Sequence, residues 1–290
     1  MSILIDKSTR LLVQGITGTS GRLQTETMVC YGTNVVAGVT PGKKGQTVCG
    51  VPVFDYVSEA VEAAKPNAAI SFVPPLGAKD AAIEAMNSGI KLLVLTMEGI
   101  PVQDVLEIFA YAKARGVRVV GPGTAGVISP GRCKVGAHPA MMFAEGPVGV
   151  VSKSGALSYE TGKMLTENGL GQSTVIALGG GPLWGTTHLD VVKLFNEDPD
   201  TKLIVLLGEI GGTLEVKAAE YIKTHVHKPV VAMIVGRSAP EGKSLGHVGA
   251  IVRGNLGTAQ SKIAALEDAG AHVMYSMVKL VGTTQRLLGR

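Results

Sequence analysis

Residues 10–45 read RLLVQGITGTSGRLQTETMVCYGTNVVAGVTPGKKG. The apolar run RLLVQG has the length of a buried strand, SGRLQTETMVCYG has the composition of a helix, and NVVAGVTPG returns to a strand closed by Pro41 and Gly42. Strand, crossover helix and strand together predict a βαβ unit with parallel strands. Between the first strand and the helix lies GITGTSG, Gly15 to Gly21, with glycines at three-residue spacing. Backbone N–H groups at such a helix start, on the positive end of its dipole, suit a phosphate. An NAD site additionally needs Asp or Glu at the end of the second strand for a ribose hydroxyl. Here that end carries Lys43 and Lys44, which suits a nucleotide with an extra ribose phosphate, NADP or coenzyme A. A turn that only packs helix on sheet would use the same glycines.

The alternation continues outward from this unit. VPVFDYVSEAVEAAKPNAAISFVPP reads as a helix and a strand, and AKDAAIEAMNSGIKLLVLTMEG and VQDVLEIFAYAKARGVRVVGPG repeat the pattern. Residues 1–122 therefore predict a doubly wound α/β domain of Rossmann-like type. Residues 123–147 are rich in Gly and Pro without periodicity and read as a linker. From VGVVSKSG onward strands and helices alternate again, giving a second doubly wound α/β domain over 148–290.

Composition bounds the function. With 290 residues there is length for two cores. The share of hydrophobic residues is 46% and of charged residues 17%, with no apolar run of membrane-span length. Asp6, Lys7 and Arg10 interrupt what would be the apolar core of a signal peptide. The expectation is a soluble cytoplasmic protein without a membrane role. Cys30, Cys49 and Cys133 are far apart, outside any zinc-ligand spacing, so reduced thiols and no metal site are expected. A net charge of +4 and 4% aromatic residues, with no basic cluster interleaved with aromatics, give nucleic-acid binding little support.

Ligands of open α/β sheets bind beyond the carboxyl ends of the strands, and three loops of the second half carry polar groups there. VVSKSGALSYE brings Ser154 and Gly155 to a helix start, where free N–H groups and a hydroxyl bind anions. VLLGEIGG places Glu209 after a very apolar strand, and GHVGA presents His247 between glycines. Together they could hold a phosphorylated histidine, with Glu209 fixing the tautomer so that the other ring nitrogen is nucleophilic. Each also has a structural explanation: Glu209 as a helix N-terminal acid, Ser154 as an N-cap, His247 as a satisfied loop histidine. His225 and His227 close a helix, where cations suit the dipole, and His138, His188 and His272 lack a carboxylate nearby in sequence.

In order along nearly the whole chain, MSILIDKSTRLLVQGITG, YGTNVVAGVTPGK, GVPVFDYVSEAV, GPGTAGVISPG, VVSKSGALSYE, GEIGG and GHVGAI resemble the α subunits of succinate–CoA ligase, within the nucleoside-diphosphate-forming acyl-CoA synthetases. The resemblance implies a Rossmann-like CoA-binding domain followed by a flavodoxin-like domain. It implies that Thr17, Gly18, Thr19, Ser20, Lys43, Thr96, Met97 and Glu98 contact coenzyme A. Tyr159 falls at a position of the carboxylic-acid site, His247 at the phosphorylated histidine and Glu209 at its glutamate partner. The implied reaction phosphorylates His247 from ATP or GTP, bound with Mg²⁺ by an ATP-grasp β subunit in an αβ or α2β2 assembly. The phosphoryl group then passes to a carboxylate, and the CoA thiol attacks the acyl phosphate.

Some positions depart from the family. GPGTAG stands where GPNCPG is common, so Gly123 and Thr124 replace Asn and Cys near the reacting thioester. Gly181 replaces Asp in GGGP, Gln24 replaces a frequent His, and Ala156 a frequent Ser or Thr. These changes bear on the acid, with succinate first and malate, citrate or another carboxylate after it. An NADP-dependent oxidoreductase and a non-catalytic CoA-binding paralogue are the readings from other classes.

Overall fold

The computed structural model describes residues 2–239, 246–252 and 257–289. The chain opens with β1 (Leu11–Gln14), α1 (Thr19–Cys30), β2 (Val35–Val39), β3 (Thr47–Val48), β4 (Val51–Phe54) and α2 (Val57–Ala64). There follow β5 (Ala68–Ser71), α3 (Ala78–Asn87), β6 (Leu92–Leu95), α4 (Val102–Arg115) and β7 (Arg118–Val120). These strands form a seven-stranded sheet in the order β3-β4-β2-β1-β5-β6-β7. All neighbours are parallel except the short β3–β4 pair. Without the edge strand β3 the order is the 3-2-1-4-5-6 winding of Rossmann folds. The β3–β4 hairpin was not expected from sequence. Its strands are short, and Pro52 within β4 weakens the strand signal.

The chain continues through β8 (Gly126–Ser129), β9 (Cys133–Gly136), β10 (Glu145–Ser152), α5 (Gly155–Glu167), β11 (Gln172–Ala177) and α6 (His188–Glu197). It ends with β12 (Leu203–Glu209), α7 (Leu214–His225), β13 (Val230–Val235), α8 (Ala259–Asp268), β14 (His272–Val273) and α9 (Met277–Leu287). The second sheet has the order β14-β13-β12-β10-β11-β8-β9. Its five parallel strands, β11-β10-β12-β13-β14, are wound 2-1-3-4-5, as in flavodoxin.

The expected linker over 123–147 is largely structured. β8 pairs antiparallel with β11, and β9 with β8, so this stretch extends the second sheet. Its glycines concealed the strands. A Cβ at Gly126 would lie 2.0 Å from the Val135 carbonyl oxygen, and one at Gly136 2.2 Å from that of Ala125, so the two strands cross too closely for side chains there. The same hairpin joins the halves. Thr33 Oγ1 donates to the Lys134 carbonyl at 2.7 Å, and Met28 of α1 shares a buried cluster with Val127 and Val135.

Candidate active site

The two winding patterns decide where a site can form. In a doubly wound sheet the chain leaves two adjacent strands in opposite directions, and the loops splay apart to open a crevice. That point lies between β1 and β5 in the first sheet and between β10 and β12 in the second. Lys153 directly follows β10 and Glu209 is the last residue of β12, so the second crevice begins with a lysine facing a carboxylate. Lys153 Nζ lies 3.1 Å from Glu209 Oε1, with side chains only 3% and 7% exposed. The ammonium also sits 4.3 Å from the centre of the Trp184 ring, a cation–π contact, and meets Oε1 out of line for a hydrogen bond.

The other carboxylate oxygen holds His247. Glu209 Oε2 and His247 Nδ1 are 2.7 Å apart. Glycines bring this loop in. Gly211, in a left-handed conformation after β12, would place a Cβ 2.0 Å from the Gly249 carbonyl oxygen, so the EIGG and GHVG loops lie backbone against backbone. A Cβ at Gly180, just beyond β11, would lie 2.7 Å from His247 Cδ2, so the imidazole covers a bare peptide. Of the glycines flanking His247, Gly249 would place a Cβ 3.1 Å from the Gly181 carbonyl oxygen, whereas one at Gly246 would meet nothing within 4 Å.

Electrostatics follow from this geometry. The bond to Glu209 raises the His247 pKa above the ordinary histidine value; partial burial and Lys153 oppose the rise, and the Glu98 charge adds to it. Burial alone would raise the Glu209 pKa, but the His247 bond and the Lys153 charge outweigh it and hold the carboxyl below its usual range. Glu209 is therefore ionised at neutral pH. With Nδ1 donating to it, the neutral ring carries its lone pair on Nε2.

A cleft of about 280 Å³ opens in front of His247, and both halves build it. Glu98 and Ile100 come from the first, Gly180, Leu183 and His247 from the second, and Gly123 from the turn between β7 and β8. Gly123 donates its N–H to the Met97 carbonyl at 2.9 Å, which joins the LTMEG loop to the GPGTAG loop. A Cβ at Gly123 would meet Glu98 Cγ at 3.2 Å, so a larger residue there would push the carboxylate aside.

The sequence-predicted residues fall into two groups. Glu98, Gly123, Glu209 and His247 come together, joined by the α5 helix start next to Lys153. There Ser154 caps α5 by accepting from the Leu157 N–H, while Tyr159 packs its ring edge-on to His138 and is half-buried. A Cβ at Gly155 would lie 3.6 Å from the Tyr159 hydroxyl, which places that hydroxyl at the same helix start. Thr124 stands behind the cleft wall: it is buried, donates to the Ala177 carbonyl and accepts from the Gly126 N–H at 2.8 Å.

The second group surrounds the crevice of the first sheet. Gly15 turns with φ +74°, and a Cβ there would meet the Phe72 backbone beyond β5 at 3.1 Å. Gly18 starts α1, whose first turn has no side-chain cap, and Thr19 and Ser20 are exposed on it. Gly21 lets α1 settle on the turn, since a Cβ would lie 2.1 Å from the Gly15 carbonyl oxygen. The Thr17 N–H reaches Thr40 Oγ1 at 3.4 Å, linking this loop to the segment that bears Lys43. Asp55, from the end of β4, accepts from the Lys43 and Lys44 N–H groups at 2.9 and 3.0 Å, and Lys44 pairs with Glu59 at 2.8 Å. Among the described residues the exposed Lys43 makes no ion pair. Thr96 binds its hydroxyl to the Ser71 carbonyl at 2.8 Å, and Met97 is half-buried.

Sequence reasoning missed Lys153, Trp184 and Gly180 as parts of the site. Lys153 lay inside a motif already singled out, and a lone lysine after an apolar strand was a readable signal. Trp184 and Gly180 meet Lys153 and His247 only through tertiary folding.

The fold and this pair of crevices define a CoA-ligase type of chain. The CoA binding domain family matches residues 6–99 and the CoA-ligase family residues 151–272. Over 290 residues the chain is 50% identical to a succinate–CoA ligase [ADP-forming] subunit alpha 1 of Archaeoglobus fulgidus, covering 99% of each. It is 49% identical to the succinate–CoA ligase [ADP-forming] subunit alpha of Aquifex aeolicus, covering 99% of this chain and 95% of that one. The chain belongs to the succinate–CoA ligase α-subunit family. In fold it is similar to ATP citrate lyase of Methanothrix soehngenii, with a TM-score of 0.91 at 24% identity; the match covers 99% of this chain and 50% of that one. Among the described residues no helix is long and apolar enough to cross a membrane.

Proposed function

We propose that the chain is the α subunit of an acid–CoA ligase that forms a nucleoside diphosphate, with His247 as phosphoryl carrier and succinate as the acid. The observation that carries the reading is the 2.7 Å contact between His247 Nδ1 and the buried Glu209 carboxylate, at the mouth of a cleft built by both halves. The relatives' names supply the acid and the nucleotide product; each is said of those proteins.

His247 Nε2 attacks the γ-phosphorus of ATP or GTP, presented with Mg²⁺ by an ATP-grasp β subunit, and the diphosphate leaves. Glu209 keeps the Nδ1 proton in its hydrogen bond and balances the charge on the ring as the N–P bond forms. Ser154 and Gly155, at the α5 N-terminus, receive the phosphoryl oxygens. A carboxylate oxygen of the acid then attacks phosphorus and the ring regains its lone pair. The resulting acyl phosphate is attacked at its carbonyl carbon by the thiolate sulfur of CoA, and inorganic phosphate departs. For CoA, the uncapped start of α1 and exposed Lys43 fit a phosphorylated adenosine, while Gly123 and Glu98 border the path from that domain to His247.

The test uses [γ-³²P]ATP with the co-expressed partner subunit. Wild type should take up base-stable, acid-labile label, His247→Ala none, and added succinate with CoA should discharge it. Absence of label on wild type with either ATP or GTP defeats the proposal. Discharge by citrate or malate in preference to succinate replaces the acid and leaves the phosphoryl chemistry standing.

A further inference from the structure

Behind Glu209 lies a second ion pair, wholly inside the protein. Lys262 on α8 is 0% exposed and Glu215, in the first turn of α7, is 1% exposed, with Nζ and Oε2 2.5 Å apart. An ammonium has three N–H donors, and here all three are placed. One goes to Glu215, one to the Glu209 carbonyl at 2.7 Å and one to the Gly211 carbonyl at 2.6 Å. The remaining Glu215 oxygen, Oε1, accepts from the Glu209 N–H at 3.3 Å. The peptide groups on both sides of the Glu209 Cα are thus held by two charges that are themselves fixed by packing.

Such a pair is a poor way to gain stability, because desolvation of both charges offsets their attraction and apolar replacements are often neutral. It is a good way to fix geometry. We infer that Lys262 and Glu215 are positioning residues for Glu209, and through it for the orientation of His247. The catalytic consequence rests on the phosphoryl-carrier reading above, whereas the positioning itself does not.

Charged groups face the Glu209–His247 unit from every side. Lys153 comes from the turn after β10, Glu98 from the β6 loop, Lys262 from α8 and Glu215 from α7, with the buried His188 of α6 facing Glu215. A perturbed hold on Glu209 is therefore readable as a change in His247 titration. The experiment follows the His247 ring resonances by NMR against pH in the complete α subunit with its partner. Lys262→Met/Glu215→Leu, which removes both charges at similar volume, is compared with Lys262→Arg, which keeps charge and donors.

The double variant should lower the His247 titration midpoint by about 0.5 pH unit or more as the Glu209 bond loosens, and slow His247 phosphorylation about tenfold or more at unchanged nucleotide KM. Lys262→Arg should restore most of both. A wild-type midpoint in a folded double variant overturns the inference, as does an equal disturbance by Lys262→Arg, which would mark ordinary core damage. Should the double variant not fold, Glu215→Gln supplies the same comparison, with a smaller shift in the same direction expected and no shift refuting. If wild type takes no phosphate at all, the proposed function fails while the titration still decides the positioning role.

Discussion

Adding one methyl group at residue 180 should disable His247 while leaving the fold intact. Gly180 does not occupy the left-handed region, so its backbone accepts alanine. The new Cβ would lie 2.7 Å from His247 Cδ2, 2.9 Å from Cγ and 3.0 Å from Nε2. Carbon atoms rest at about 3.5–4.0 Å, so the ring must retreat by about 1 Å. A retreat of that size carries the 2.7 Å bond to Glu209 out of hydrogen-bonding range. Misplacement by about 1 Å costs on the order of 100-fold in a positioned reaction. Stability should change little, about 1 kcal/mol at most, because the imidazole is 30% exposed and can swing outward. Single-turnover labelling from [γ-³²P]ATP should show the rate loss, and urea unfolding the near-unchanged stability. Gly181→Ala is the steric contrast, since its Cβ would find only the Leu183 carbonyl oxygen at 3.7 Å; His247 labelling should fall far less. Labelling of Gly180→Ala at the wild-type rate, or an equal loss in both variants, would refute the geometric reasoning.

Three further outcomes are expected. Lys43→Ala should weaken CoA by about tenfold while barely changing binding of dephospho-CoA, as removal of a charge-assisted phosphate contact predicts; equal losses in calorimetry for the two ligands would remove Lys43 from the ribose phosphate. Thr124→Val should destabilise the chain by about 1–3 kcal/mol in urea unfolding, because the Gly126 N–H and the Ala177 carbonyl lose their shared buried partner; an unchanged midpoint would deny the hydroxyl that bracing role. Burial holds His138 down at about 3, with the Lys134 charge adding to the effect. The unfolded chain therefore binds a proton below about pH 6.5 that the folded chain refuses, and stability present above that pH declines as pH falls, by about 1.4 kcal/mol per unit. His138→Phe should lessen the slope between pH 6.5 and 5 by that share, leaving the slope of the same sign that buried His188 contributes, and identical slopes in the two proteins would contradict the assignment.

The sequence by itself determined the two doubly wound halves, because alternating apolar runs and helices leave few other solutions. It also determined the chemical residues at strand ends. Gly15, Glu209 and His247 stand in short motifs whose glycines announce close approach, and motif order along the chain was enough for the family resemblance. Segment 123–147 was illegible because Gly126 crosses the Val135–Gly136 backbone and Gly136 the Ala125–Gly126 backbone, which leaves no side-chain pattern to read there. Only the tertiary structure decided what meets what. The β10/β12 winding brings Lys153 to Glu209, the loop beyond β11 brings Gly180 under the His247 ring, and α8 brings Lys262 to the peptide groups of Glu209. Residues 153, 180, 209, 247 and 262 lie on five separate segments, and no local propensity relates them. Their contacts arise from strand order and loop path, which fix distance where sequence fixes only residue type.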